Sequence, residues 1–105
     1  MTNYIFLYSG GSGMPETEEA QAAVMAAWGA WYGGMGEAVV DGGNPFSGVA
    51  KTVASDGTIS DGAAFAGSGY TIVSAESADA AATMAQGCPV LQGGGTVSVF
   101  EIYAL

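Results

Sequence analysis

The side chains that could transfer protons are limited in type. The chain contains ten acids, one lysine, one cysteine and no histidine. General acid–base catalysis near neutral pH would therefore fall to Asp, Glu, Tyr, Cys or the single Lys. Asp41 is the best candidate for a catalytic carboxylate, since it ends an apolar run and enters a glycine-rich loop that could line a pocket. Asp-Gly is also common in turns, so a structural role for Asp41 is the competing interpretation.

A flat ligand could be held by the aromatic residues that precede Asp41. Trp28, Trp31 and Tyr32 would form an aromatic wall on one helix, although such a stripe is more often part of a core. Asn44, in the loop that follows Asp41, is a further candidate ligand-binding residue.

Two more candidate ligand-binding residues lie further along the chain. Lys51 is the only cation, so an anionic group of a ligand would have to meet Lys51 or backbone N–H groups. An exposed lysine on a hairpin is the alternative. Tyr70 could offer its hydroxyl to a pocket, although tyrosines in strands more often pack against neighbours.

Motifs for cofactors and metals are missing from the sequence. It contains no G-x-G-x-x-G, G-x-x-x-x-G-K or G-x-S-x-G pattern, and its acids are scattered. The single Cys88 excludes an intramolecular disulfide, and its place just past a predicted helix end favours a packed thiol over a nucleophile. We therefore expect neither a metal nor a cofactor.

The charge balance argues against polyanionic partners. The net charge is −9, and binding to a phosphate backbone needs several cations where this chain has one. No stretch approaches the roughly 20 apolar residues of a membrane span, and the first residues lack the positive charges of a signal peptide. The sequence thus predicts a cytoplasmic protein with no nucleic-acid or membrane partner.

The elements that must position these residues begin with a strand at residues 4–8, which runs into a glycine-rich loop at 9–13. A helix follows, with Thr17 as a candidate N-cap. Its apolar residues recur at spacings of four, three and four, which places them on one face: Val24, Trp28, Trp31 and Met35.

Later segments alternate in the same way between strand and helix. Strands are predicted at 38–41, 70–75 and 96–104, a helix capped by Ser77 at 78–86, and a hairpin at 51–60 with Asp56-Gly57 as a two-residue turn. Without the hairpin the order is βαβ-βαβ. We therefore predict one α+β domain over residues 1–105 with a ferredoxin-like plan, in which a four-stranded antiparallel sheet carries two helices on one face.

A homodimer follows from the apolar character of both sheet faces. In the first strand, Tyr4, Phe6 and Tyr8 occupy one face and Ile5 and Leu7 the other. Two helices can cover only one face, and a bare apolar face is unusual on a monomer. A second copy of the sheet is the simplest cover, and the hairpin is the alternative.

Several short segments together resemble one protein family. They are the residues at 4–8, 28–31, 39–46, 51–53, 61–62, 69–72 and 87–89. Taken nearly end to end, the chain resembles the YCII-related domains, which implies a ferredoxin-like fold that pairs as a dimeric α+β barrel. Members regarded as enzymes are thought to use a His–Asp pair, which this histidine-free chain lacks, and the segment 61–65 departs from the family's Asp-Gly-Pro-Phe.

Three functions remain open from the sequence. The first is binding of a small, largely apolar molecule between sheet and helices. The second is a metal-free acid–base enzyme of lyase or isomerase type that uses Asp41 and a tyrosine. The third is a homodimeric assembly or regulatory protein without catalysis. The sequence does not decide whether the chain is an enzyme.

Overall fold

The computed structural model of the protein describes residues 1–11 and 15–104, so the predicted loop at 9–13 lies partly outside the described residues. The strands and helices are, in chain order, β1 (Thr2–Ser9), α1 (Glu18–Met35), β2 (Val39–Asp41), β3 (Lys51–Val53), β4 (Ile59–Asp61), β5 (Gly69–Ala75), α2 (Ala78–Ala85) and β6 (Thr96–Glu101). Short 3-10 turns at Gly36–Ala38 and Pro89–Gly93 precede β2 and β6.

Four of these strands form one antiparallel sheet in the order β2-β5-β1-β6, and β3 pairs with β4 in a separate two-stranded sheet. The central strand β1 pairs with β5 along Thr2 to Tyr8 and with β6 along Tyr4 to Ser9. The predicted α+β class, with a four-stranded antiparallel sheet, two helices and an inserted hairpin, is thus confirmed.

The core lies on one face of the sheet. Alternate residues of β1 and β5 are buried there, and the residues between them in each strand are more exposed. α2 contributes the buried Ala81 and Ala85, while α1 contributes the half-buried Trp28 and Trp31. Both helices therefore pack on the same face, although no residue of α1 is buried.

Local sequence sets the ends of the helices. The Thr17 and Ser77 hydroxyl oxygens accept hydrogen bonds from the N–H groups of Ala20 and Ala80, at 3.2 and 3.1 Å, so both predicted N-caps are confirmed. α1 ends where Gly36 takes a φ of +55°, a conformation that side-chain-bearing residues avoid.

The hairpin turn differs from the two-residue Asp-Gly turn that the sequence suggests. Gly57 N–H donates to Ala54 O, and Ala54 N–H donates to Thr58 O, so the tight turn spans residues 54–57. Gly57 has a φ of +90° and forms a bulge after the turn. Gly57 is therefore the fourth residue of the turn, one position later than predicted.

The opposite face of the sheet has no helix over it, and its centre is apolar. Polar residues occupy other positions of this face: Asn3, Ser74 and Ser98. Ile5 and Leu7 of β1 and Ile72 of β5 lie half-buried there, and Phe100 of β6 is 52% exposed beside Ile5. We call these four residues the uncovered sheet face. Within the described residues, no helix is long and apolar enough to cross a membrane.

Candidate functional site

A cleft of about 350 Å³ opens between α1, the loop after β2 and the adjoining ends of β1 and β5. It lies on the helix side of the sheet, opposite the uncovered face. Its described lining is Tyr8, Val24, Met25, Trp28, Tyr32, Gly42, Gly43, Asn44, Pro45, Ser68, Gly69, Tyr70 and Val90. A cavity of this size and composition is typical of sites for small, mostly apolar ligands.

The loop wall of the cleft is built by close backbone approach. Gly43 has a φ of +71°, and a Cβ placed there would lie 1.7 Å from the carbonyl oxygen of Tyr70. Asp41 holds this turn, because its carboxylate accepts a hydrogen bond from the N–H of Gly43 at 2.9 Å. Two residues later Pro45 forms an isolated bridge with Gly69. The loop is therefore fixed against the edge of β5.

Hydroxyl groups from three elements meet below the loop. Tyr8 Oη donates to Thr71 Oγ1 at 2.6 Å, and Thr71 Oγ1 donates to Gly42 O at 3.1 Å. Tyr32 Oη donates to the same carbonyl at 3.0 Å and lies 3.2 Å from Thr71 Oγ1. We call Tyr8, Tyr32 and Thr71 the hydroxyl cluster.

The protons of the hydroxyl cluster are all used within the protein. A hydroxyl has one proton to donate and two lone pairs to accept with. Since Tyr32 donates to Gly42 O, its oxygen still has lone pairs for a donor of a ligand. The cluster thus presents an acceptor to the cleft.

Burial keeps the ionisable groups near this cluster neutral. Desolvation raises the pKa of the Tyr8 phenol far above its usual value, and the hydrogen bond with Thr71 only partly offsets this. Desolvation also raises the pKa of the buried Cys88 thiol, to which Tyr8 lies close. Neither group is therefore a ready nucleophile or base near neutral pH.

The helix wall of the cleft is aromatic. Trp28 packs edge-on against Tyr8, with 5.3 Å between ring centroids, and tilted against Tyr32 at 5.9 Å. Among the described residues, the Trp28 indole N–H and the Asn44 amide make no hydrogen bond, whereas the Trp31 indole donates to Met84 O at 2.9 Å. Since Trp28 and Tyr32 both line the cleft, a ligand there would meet their rings.

No described residue that lines the cleft carries a carboxylic acid or a cation. Its polar groups are hydroxyls, the Trp28 indole N–H, one carboxamide and backbone amides. Burying a charge without a partner is costly, so the cleft favours uncharged molecules. Among the described residues, no three His, Cys, Asp or Glu side chains are grouped to hold a metal ion.

The structure brings together four of the seven residues proposed from the sequence. Trp28, Tyr32, Asn44 and Tyr70 line the cleft. Tyr70 presents its backbone carbonyl to the loop at Gly43, and its ring alternates with the buried residues of β5. Trp31 is instead part of the core, stacked on Phe6 with 6.0 Å between ring centroids.

The other two polar candidates lie outside the cleft. Asp41 is exposed, and it pairs with Ile72, whose side chain belongs to the uncovered sheet face. Lys51 lies on the hairpin and forms an exposed ion pair with Asp61.

Sequence reasoning overlooked Thr71 and the Gly42-Gly43 pair. Thr71 lies on the same face of its strand as the buried Val73 and Ala75. A polar residue among buried positions was therefore the available signal. The role of Gly42 and Gly43 depends on which strand the loop touches, and this is a tertiary fact.

Comparisons with protein-family models, curated proteins and solved structures find no match. The similarity to YCII-related domains therefore remains a prediction from the sequence.

Proposed function

We propose that this chain is a homodimeric, ferredoxin-like domain of YCII type that binds a small, uncharged, mostly apolar molecule in the cleft. The observation that carries this proposal is the cleft itself, which is apolar, free of charge among its described residues and large enough for a two-ring compound. The order β2-β5-β1-β6 supports the ferredoxin-like assignment, because the two βαβ units interleave in that arrangement.

The hydroxyl cluster narrows the ligand class further. Its protons are committed to Thr71 and Gly42, and Tyr32 keeps lone pairs. A ligand that carries an O–H or N–H donor on an aromatic ring would match this acceptor. Its ring would lie against Trp28.

The homodimer is supported by the uncovered sheet face. Ile5, Leu7, Ile72 and Phe100 form a continuous apolar set, in a chain whose net charge is −9. No charged side chain belongs to this set, and the carboxylate of Asp41, which pairs with Ile72 from the edge strand β2, lies at its border. Charge depletion at the centre is typical of protein interfaces.

Catalysis by Asp41 is the weaker alternative. Its carboxylate is used by the turn at Gly43 and lies away from the cleft, so it cannot reach a ligand there without a rearrangement of the loop. A homodimer with no ligand is the other alternative, and it would leave the cleft without a role.

Binding can be tested with 2-naphthol and its methyl ether, 2-methoxynaphthalene, by NMR titration of the two tryptophan indole N–H signals. We expect saturable binding of one 2-naphthol per chain, with a larger shift for Trp28 than for Trp31. The methyl ether should bind several-fold more weakly, since it cannot donate to Tyr32. Tyr32→Phe should remove this difference.

A matched pair of variants on α1 locates the site. Val24 lines the cleft, whereas the adjacent Ala23 is exposed and does not. Val24→Phe should fill the cleft and raise the Kd for 2-naphthol at least tenfold. The Kd of Ala23→Phe should stay within twofold of that of the unmodified chain. Equal effects of the two variants, or no saturable binding, would contradict the proposed function.

A further inference from the structure

The hairpin of β3 and β4 has one apolar face that is open to solvent. Val53 is paired with Ile59 across the two strands, and these residues are 65% and 66% exposed. Thr52 and Ser60 occupy the other face, where Thr52 Oγ1 donates to Gly62 O. The hairpin is therefore amphipathic, and its apolar face lacks cover from the described residues.

Such a hairpin is not stable by itself. Two-stranded ribbons are marginal in water and need a third strand or a packing surface. β3 and β4 pack mainly on each other, and the exposed Lys51–Asp61 ion pair adds little. A packing surface from another chain would therefore stabilise the hairpin by covering its apolar face.

The base of the hairpin joins it to the uncovered sheet face. Phe46 stacks on Tyr70 of β5, with 6.1 Å between ring centroids, and Tyr70 alternates with the buried residues of that strand. Val49 and Phe65 are also exposed beside this base. We call residues 46–68 the arm. Through Phe46, the arm adjoins the side of the sheet on which the uncovered sheet face lies.

The molecule exposes more surface than a compact domain of its length. The radius of gyration is 15.2 Å, against about 13 Å for a compact domain of this length. The accessible surface is 7023 Å², about 1,600 Å² more than a compact monomer of this mass exposes. A standard interface buries only about 800 Å² per partner. The sheet face and the arm together can supply that area.

We propose that the arm of each subunit packs on a second copy of this chain, so that Val53 and Ile59 are buried by the partner subunit. The inference rests on the homodimer of the proposed function. It adds that the interface has two parts, the uncovered sheet face and an exchanged arm. The ion pair of Lys51 and Asp61 then lies at the polar rim, beside the apolar pair.

Intermolecular NOEs test the contact directly. Chain labelled with 13C and 15N is mixed with unlabelled chain, subunits are allowed to exchange, and a filtered NOESY spectrum selects contacts between subunits. We expect intermolecular NOEs from the methyl groups of Val53 and Ile59. A dimer in which these methyls show only contacts within their own subunit would overturn the arm exchange and leave the homodimer standing.

A variant pair gives an independent measure of the same contact. Val53→Ser with Ile59→Ser should raise the dimer Kd at least tenfold in sedimentation equilibrium. Leu91→Ser removes an exposed apolar side chain outside both the arm and the sheet face, so its Kd should stay within twofold. An unchanged Kd for the double variant would contradict the arm exchange. An unmodified chain that stays monomeric at every concentration would overturn the homodimer as well.

Discussion

Below the loop that forms one wall of the cleft, Thr71 carries a buried hydroxyl that both accepts and donates a hydrogen bond. It accepts from Tyr8 and donates to the carbonyl of Gly42, so it joins the central sheet to the loop. Buried polar groups cost free energy when one partner is lost, because the remaining group is then buried without a hydrogen bond. The stability of the site therefore depends on this single oxygen.

Thr71→Val should lower the free energy of unfolding by about 2 to 3 kcal/mol, because it leaves the buried phenol of Tyr8 without an acceptor. Tyr8→Phe should cost only about 1 kcal/mol, since Thr71 still donates to Gly42. Urea unfolding at one fixed protein concentration measures both values.

The double variant is the control for this argument. With Thr71→Val already present, Tyr8→Phe removes an unpaired group, so its further cost should be near zero or favourable. Strictly additive losses would show that the two hydroxyls do not act as a pair.

At the scale of elements, the loop at 42–45 behaves as an extension of β2 along the edge of β5. Its backbone touches β5 at the Tyr70 carbonyl and again at Gly69, where Pro45 forms its bridge. Two neighbouring glycines in this loop have different roles. A Cβ on Gly43 would collide with the Tyr70 carbonyl, whereas a Cβ on Gly42 would meet no described atom within 4 Å.

Gly43→Ala should therefore destabilise the protein by about 3 kcal/mol or more, since it adds a collision to a positive φ. Gly42→Ala is the matched control, with an expected change below about 1 kcal/mol. Thermal unfolding compares the two variants with the unmodified chain. Similar losses at both positions would mean that the loop does not press on β5 in solution.

Element types could largely be predicted, because they depend on local patterns. The caps at Thr17 and Ser77 and the spacing of apolar residues in α1 are properties of short segments. Ends that depend on a neighbour were missed. β6 was expected to reach residue 104 but ends at Glu101, and one further hydrogen bond, from Ile102 N–H to Asn3 O of β1, follows it.

At the scale of the whole molecule, the chain is flat, with extents of 44 × 40 × 19 Å. A single sheet with helices on one side has this shape, and its second face must meet either water or another protein. The apolar residues at the centre of that face make its exposure to water unfavourable.

Phe100→Asp should weaken the proposed homodimer at least tenfold, because it places a carboxylate on the uncovered sheet face directly beside Ile5. Light scattering coupled to size-exclusion chromatography gives the mass of each species. Gln92→Asp adds the same charge at an exposed position in the 3-10 turn and should leave the dimer intact. A Phe100→Asp dimer of unchanged affinity would place the interface elsewhere.

The sequence by itself determined the α+β class, the order of elements, both helix caps and the apolar character of both sheet faces, because each of these follows from local spacing and residue type. It also selected Trp28, Tyr32, Asn44 and Tyr70, since residues with rings and polar groups are recognisable without coordinates.

Only the tertiary structure decided which of these candidates share a site. It placed Trp31 in the core and Asp41 and Lys51 outside the cleft, and it joined Thr71 to a loop carbonyl 29 positions away. Such contacts depend on strand order and on the approach of a loop to a sheet edge. Both arise from packing between segments distant in sequence, which local patterns do not encode.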